Sequence, residues 1–523
     1  MIFHAPEPDV VIPDIALTPF LLERAATFGD KPALIDGPSG RTLTYRGWVE
    51  AVRRAAVGLS ARGFRKGDVF AIYSPNLPEY AVAFHAVSLL GGIVTTINPL
   101  YTVAELRHQL EDAGARALVT VPPCLEKAAQ AARDAGVREV FTFGEANGAT
   151  PFASLLTTAG EPPAVTIDPR TQVVVLPYSS GTTGLPKGVM LTHRNLVANI
   201  LQSICVLTIG GGDTILGVLP FFHIYGMVVI MNLGLYRGAT IVTMPRFDLE
   251  QCLQIMQQYQ VTFANVVPPI VLALAKSPLV DNYDLSRLHT VFSGAAPLSE
   301  HVATAASARL DCRVVQGYGL TETSPVTHAT RIGAIPIKTA GIGPPVPNTE
   351  ARVVDVVTWK ELGPKEEGEI CVRGPQVMKG YLNRPDATAA MLDPDGWLHT
   401  GDIGYADEDG CFFIVDRLKE LIKYKGLQIA PAELEAVLLT HPSVADAAVI
   451  PIANEDCGEV PKAFVVLKGD VTPDQIMSYV AEQVAPYKKL RGLEVIDQIP
   501  KSLSGKILRR VLIEREKARG WGR

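Results

Sequence analysis

Cysteine and tryptophan are scarce in this chain, at 7 and 4 of 523 residues. Cys124, Cys205, Cys252, Cys312, Cys371, Cys411 and Cys457 are scattered, with no C-x-x-C pair and no clustered Cys/His ligands. That spacing excludes a disulfide scaffold and a zinc framework and fits a reduced, cytoplasmic compartment. Neither sign of charge dominates: 48 Lys plus Arg against 54 Asp plus Glu leave a net charge of −6, which argues against a general binder of nucleic-acid backbone. No clean apolar span is present either. The stretch between Asp213 and Arg237 has no charged residue, but Gly217, Pro220, His223, Gly226, Asn232 and Gly234 interrupt it, so it reads as buried α/β core. The opening MIFHAPEPDVVIPDIAL lacks a basic region and carries Glu7, Asp9 and Asp14, so no export signal is expected. Tandem repeats, low-complexity tracts and long disordered linkers are also missing.

What is present is a globular composition, 47% apolar and 20% charged, at a length that allows two to four domains of about 100 to 200 residues each. The first third alternates strand and helix: Val69 to Ser74, a helix after Pro78, Ile93 to Asn98, a helix from about Thr102, and Ala117 to Val121. That rhythm implies a parallel, helix-covered sheet. A second run follows Pro169, with VVVLPYSS, ILGVLPF, GATIVTM, a helix near Leu249 to Tyr259, and FANVVP. From about Ala351, short strands and turns (ARVVDVV, GEICVRG, GCFFIVDR) indicate a β-rich piece. After Asp416-Arg417-Leu418-Lys419 comes a compact α+β tail with a helix opening at Pro431. Its second helix opens at Thr472-Pro473-Asp474-Gln475, where Thr472 caps and Gln475 completes a capping box. The expected fold is therefore α/β: a large N-terminal part, 1–416, of two sheet-and-helix subdomains plus the β-rich piece, then a small α+β part, 417–523.

One local segment stands out. Ser179, Ser180, Gly181, Thr182, Thr183, Gly184, Leu185, Pro186, Lys187 and Gly188 follow a buried strand and bring hydroxyls, flexible amides and one ammonium together, a set suited to a polyphosphate. It is not a Walker A loop, because Pro186 precedes the lysine, Gly188 follows it, and a strand resumes where that motif needs a helix. An ordinary Ser/Thr/Gly turn is the plainer alternative on composition alone.

Taken with LPFFHIYG (219–226), SGAAPL (293–298), QGYGLTET (316–323), GEICVRG (368–374), GWLHTGD (396–402), DRLKELIKYKGLQIAPAELE (416–435) and PKSLSGKILRR (500–510), the segment resembles the adenylate-forming acyl-CoA ligases, and among them the 4-coumarate:CoA ligases, over nearly the whole chain. The resemblance implies two half-reactions. A carboxylate attacks the α-phosphate of MgATP to give an acyl-adenylate and pyrophosphate, and the thiol of coenzyme A then displaces AMP. Such chemistry asks the protein for cations, donors and a metal-binding carboxylate rather than for covalent help.

The same resemblance assigns the residues. Ser179 to Gly184, Lys187, Gly294, Ala295, Gln316, Gly317, Tyr318, Gly319 and Thr321 would hold the nucleotide, with Tyr318 against adenine and Thr321 on the α-phosphate. Glu322 would bind Mg²⁺, and Asp402 and Arg417 the ribose. Lys506 would bridge the attacking carboxylate and the α-phosphate. The C-terminal part would pivot at Lys419, exchanging the Lys506 face for one bearing Lys423 and Gln428 at the adenylate and Lys425-Gly426 at the pantetheine tunnel. His223 would wall the carboxylate side of the acid pocket without transferring a proton. Ile224, Tyr225, Val229, Phe292, Ala295, Gly317, Gly319, Pro325 and Val326 would line that pocket, with Tyr225 reaching the phenolic end of 4-coumarate, caffeate or a similar acid.

Without the resemblance each residue has a plainer reading. Tyr318 would be a packed turn aromatic and Asp402 an Asx turn. Arg417 would be an interdomain ion-pair partner, His223 a satisfied core histidine, and Lys423 and Lys506 solvated surface. A medium-chain or other aryl-acid CoA ligase, a luciferase-like oxygenase and a non-catalytic nucleotide-binding scaffold stay open as alternatives.

Overall fold

The computed structural model of the protein describes residues 1–179, 186–332, 338–418, 420–424, 427–454, 458–502 and 505–519, with residue 428 in its main chain only. Ser180 to Leu185, Lys419, Lys425, Gly426 and the Gln428 side chain, all singled out above, lie outside the described residues. Among the described residues the strands form four sheets. In the first, Val173–Ser179, Ile93–Ile97, Val69–Tyr73, Ala115–Thr120 and Glu139–Thr142 run parallel, and Lys187–Thr192 returns antiparallel to Val173–Ser179. The second orders Arg313–Gly319, Thr290–Ser293, Phe263–Val266, Thr214–Gly217, Thr240–Thr243 and Pro32–Asp36 in parallel. These strands read as near-continuous Val/Ile/Phe runs because helices cover both faces of a parallel sheet. The helices Tyr45–Ala61 and Pro78–Leu89 pack between the sheets, and a single apolar cluster spans both.

The β-rich piece is the antiparallel sheet of Ile2–His4, Glu350–Val354, Gly368–Arg373, Leu398–Ala406 and Phe412–Arg417. Arg417 is the last residue of that sheet, one residue beyond the expected boundary at 416. The fourth sheet pairs Ile422–Tyr424, Gly458–Leu467 and Val444–Asn454, with the helices Pro431–Thr440, Pro473–Gln483 and Arg509–Ala518 following in the same tail. This is the α/β architecture read from the pattern.

The uncharged stretch resolves into the strand Thr214–Gly217 and a π-helical segment, Tyr225–Asn232, that continues as Leu233–Arg237. Every residue of Tyr225–Asn232 is buried, so no apolar stripe marks it in the sequence as a helix. No helix among the described residues is long and apolar enough to cross a membrane.

The capping box expected at Thr472 is formed, with its hydroxyl accepting from Gln475 N and the Gln475 side chain accepting from Thr472 N. Thr472→Ala should therefore lower the stability of the C-terminal unit by about 1 kcal/mol, read as a lowered denaturant midpoint in the isolated transition of that unit. An unchanged midpoint would show the helix to be held by packing alone.

Candidate active site

At the C-terminal ends of the parallel strands, where open α/β sheets bind ligands, the chain gathers polar groups from distant segments. Asp402 lies on Leu398–Ala406 directly opposite Arg417 on Phe412–Arg417. Its carboxylate, 5% exposed, accepts from the Tyr318 hydroxyl at 2.6 Å and stands 3.3 Å from Arg417 Nε. Burial pushes the Asp402 carboxyl above its usual range, while the Arg417 charge, the Tyr318 hydrogen bond and the Lys506 ammonium pull it back down. An acceptor-only group presented in this way suits a diol such as a ribose.

Lys506 reaches the same place from the far end of the chain. Its loop closes on itself: Ser502 N donates to the Lys506 carbonyl, Lys506 N to Ser502 Oγ, and Gly505 N to the Ser502 carbonyl. Gly505 has φ +77°, and a Cβ there would come within 3.1 Å of Val267 Cγ2, so glycine lets the loop press against the strand end at Val267. Burial first, then the Arg417 charge, lower the Lys506 pKa to about 8, with Glu420 and Asp402 opposing. Arg509 braces this docking through Glu420 at 2.5 Å, both oxygens of Glu435 at 2.8 and 2.9 Å, and the Val449 carbonyl.

On the opposite rim, Lys187 opens the strand Lys187–Thr192 and pairs with Ser179, so the ends of the Gly-rich segment stand side by side. The Lys187 ammonium lies 5.0 Å from the Tyr381 ring centroid, and the Tyr381 hydroxyl donates to Glu322 Oε1 at 2.8 Å. Glu322 belongs to the 3₁₀ turn Thr321–Thr323 and is 4% exposed. A carboxylate oriented by one hydroxyl is a suitable hard-oxygen ligand for Mg²⁺. Thr321 beside it is half-buried.

His223 Nδ1 accepts from Tyr225 N at 3.3 Å. Burial, aided by the Lys506 charge, depresses its pKa to about 4, so at neutral pH the ring is an uncharged donor through Nε2. The Tyr225 hydroxyl donates to the Phe292 carbonyl at 2.9 Å, and the two rings meet edge to face with centroids 6.0 Å apart. Ile224, Val229 and Val326 are buried near this wall. Gly294 is buried and Ala295 exposed with φ +70°. A Cβ at Gly317 would strike Phe292 Cζ at 2.3 Å, and one at Gly319 would sit 1.7 Å from the Pro325 carbonyl.

Two residues named from sequence stand apart from this gathering. Gln316 spends its amide on the main chain of Leu298 and Thr339, bracing the loop rather than facing a ligand with its side chain. Lys423 sits on Ile422–Tyr424 with its side chain exposed and its N–H given to Glu459. The structure thus presents the Lys506 face to the site and leaves Lys423 in solvent.

Tyr381, Glu420 and Arg509 escaped sequence reasoning. Glu420 and Arg509 lie inside motifs already quoted but were given no role there, while Tyr381 carries no local signal beyond following Lys379-Gly380. Sequence spacing also hid a grouping of side chains: Glu369, Cys371 and His399 converge because Gly368–Arg373 pairs with Leu398–Ala406. His399 Nδ1 lies 3.0 Å from Glu369 and 3.5 Å from the Cys371 thiol. Glu369 also accepts from Gly401 N, next to Asp402, so the group props the strand that carries Asp402.

Comparison with known proteins agrees with this geometry. Residues 21–382 match the model of the AMP-binding enzyme family and residues 433–506 that of the AMP-binding enzyme C-terminal domain. The chain is 47% identical over 524 residues to 4-coumarate–CoA ligase 5 of Oryza sativa subsp. japonica, covering 98% of this chain and 96% of that one. Among solved structures, ATP-bound MatB from Rhodopseudomonas palustris superposes with a TM-score of 0.87 at 29% identity, over 96% of this chain and 99% of that one. The o-succinylbenzoate CoA synthetase of Bacillus subtilis, in complex with its acyl-adenylate intermediate, gives 0.82 at 30% identity over 96% and 98%. With the family model spanning most of its length and a curated relative alike from end to end, the chain belongs to the AMP-binding enzyme family, in the 4-coumarate–CoA ligase group of the adenylate-forming superfamily.

Proposed function

We propose that the protein is an AMP-forming acid–thiol ligase that activates a hydroxycinnamate such as 4-coumarate or caffeate with MgATP and passes the acyl group to coenzyme A. The observation that carries this reading is the meeting of Tyr318, Asp402, Arg417 and Lys506, from separated segments, in one partly buried site. The names of the relatives support the acid and the thiol. Asp402 and Arg417 hold the ribose, Tyr318 lines the nucleotide side, and Thr321 with Ser179 to Gly184 and Lys187 faces the phosphates. Glu322 would hold Mg²⁺, which neutralises phosphate charge when bound. Lys506 aligns the acid carboxylate with the α-phosphate and offsets the charge that develops there. Neutral His223 and buried Tyr225, with Phe292, bound the aromatic acid.

The chain divides just after Arg417, and Lys419 is the pivot about which the C-terminal part turns to bring Lys423, Lys425, Gly426 and Gln428 to the site for the thiol step. Thiol chemistry and both co-substrates suit a cytoplasmic enzyme.

Incubation with MgATP and 4-coumarate, with and without coenzyme A, tests the whole reading. Pyrophosphate release should match CoA-dependent appearance of the conjugated thioester absorbance; pyrophosphate without thioester would demand another acceptor. Lys506→Ala should cut adenylation at least a hundredfold while thioester formation from presynthesised acyl-AMP persists, and equal losses would remove its assigned role. Lys419→Pro, which fixes φ at the pivot, should slow the CoA step and spare pyrophosphate release; an unchanged thioester rate would remove the pivot.

The Lys506 proton sets a pH dependence. Below pH about 8 the ammonium is charged, and rising pH through that value removes it, so kcat/KM for adenylation, which reports the free enzyme, should fall on the alkaline side. Lys506→Arg keeps its charge at every accessible pH, so whatever activity it retains should lose that alkaline limb. A wild-type profile flat to pH 9.5 would contradict the assignment.

A further inference from the structure

Tyr381 is the buried polar side chain at the site to which the proposed reaction gives no part. It ends the two-residue strand Gly380–Tyr381, is 6% exposed, and its hydroxyl donates to Glu322 Oε1 at 2.8 Å. The hydroxyl has one proton and a second neighbour, the Met391 sulfur at 2.8 Å. A carboxylate is much the stronger acceptor, so the proton goes to Glu322. The other oxygen, Glu322 Oε2, takes no hydrogen bond among the described residues.

Both ends of this hydrogen bond are anchored in the main chain. Tyr381 pairs with Val189 of the strand Lys187–Thr192, its N–H donates to Thr388 Oγ1 at 2.9 Å, and Leu382 N donates to the Gly188 carbonyl at 2.8 Å. Glu322 sits in the 3₁₀ turn Thr321–Thr323, and its carbonyl accepts from Met378 N at 2.8 Å. The segment that carries Tyr381 is thus tied to the backbone of Glu322 as well as to its side chain, and the carboxylate is held in one orientation. The Tyr381 ring has a separate task, because the Lys187 ammonium stands 5.0 Å from its centroid, a contact that a phenylalanine ring would keep.

A carboxylate can meet a cation through one oxygen or through both. Magnesium demands near-ideal octahedral geometry and takes single carboxylate oxygens alongside phosphate oxygens and waters, whereas calcium accepts a larger, looser shell and readily takes both oxygens of one carboxylate. With Oε1 engaged by the tyrosine and the carboxylate plane fixed, a cation at Glu322 meets Oε2 alone.

We propose that Tyr381 is a positioning residue that restricts Glu322 to coordination through one oxygen and thereby selects magnesium over calcium at the nucleotide phosphates. This rests on the assignment of Glu322 to the metal in the proposed function and deepens it. The hydroxyl sets how many oxygens the cation meets, and the ring supports the lysine that faces the phosphates.

The test is calorimetric titration of wild type and Tyr381→Phe with α,β-methylene-ATP, which cannot release pyrophosphate, at saturating magnesium, at saturating calcium and in EDTA. Wild type should bind the magnesium complex more tightly than the calcium complex. Tyr381→Phe keeps the ring beside Lys187 and frees Oε1, so the ratio of the two dissociation constants should shift about tenfold towards calcium, the scale of a hydrogen bond to a charged group. A ratio that stays put in Tyr381→Phe, including equal weakening of both complexes, overturns the proposal and leaves the hydroxyl a structural support for its strand. Should the phenylalanine variant melt early, wild type decides alone, and equal affinity for the two complexes overturns it. Binding no tighter with magnesium than in EDTA would instead strike the assignment of Glu322 to the metal, and this inference with it, whereas a failure confined to the ratio leaves that assignment standing.

Discussion

The site depends on one buried carboxylate. Asp402 is almost wholly removed from water, and a carboxylate in that position stays ionised only while cations and donors surround it. Its bonded partners come from the strand Arg313–Gly319 and from the neighbouring strand ending at Arg417, and the Lys506 charge acts on it from the loop before the last helix. The carboxylate thereby ties the second parallel sheet, the β-rich sheet and the C-terminal tail to a common point, which is also the point at which a ribose would need an acceptor.

The surrounding architecture serves that convergence. Parallel strands leave their loops at one edge, and the loops after Val266, Ser293 and Gly319 all emerge there. Close backbone contacts then fix those loops: no side chain fits at Gly319 against the Pro325 carbonyl, and none at Gly317 without moving Phe292. Arg509 adds the complementary restraint from the tail, joining Glu420 to Glu435 on Pro431–Thr440. Lys506 is therefore positioned by main-chain hydrogen bonds and by a neighbouring ion-pair cluster.

The strands and helices were legible in the sequence to within a residue or two wherever one physical signal ruled. Val69–Tyr73, Pro78–Leu89 and Ile93–Ile97 follow from alternating apolar runs and Pro78, and the Thr472 cap follows from its side chains. The helix at Tyr225–Asn232 was not legible, because a segment buried on every side has no periodicity to reveal. For the site, composition could suggest only the Gly-rich segment, and the roles of Tyr318, Asp402 and Lys506 came from resemblance. Tyr381 and Arg509 depend on partners more than 50 residues away, which no local pattern records.

The charges around Lys506 show what the site lacks until its substrates arrive. Burial and the Arg417 guanidinium both work against the lysine proton, and Glu420 and Asp402 only partly restore it. Two cations held this close in a partly buried place are mutually unfavourable on their own. An anion placed near them would reverse the sign of these interactions, as would the phosphate proposed for Lys506 with its ribose on Asp402. The cationic side of the site thus carries a need for negative charge that its own carboxylates only partly meet and that an anionic substrate would supply.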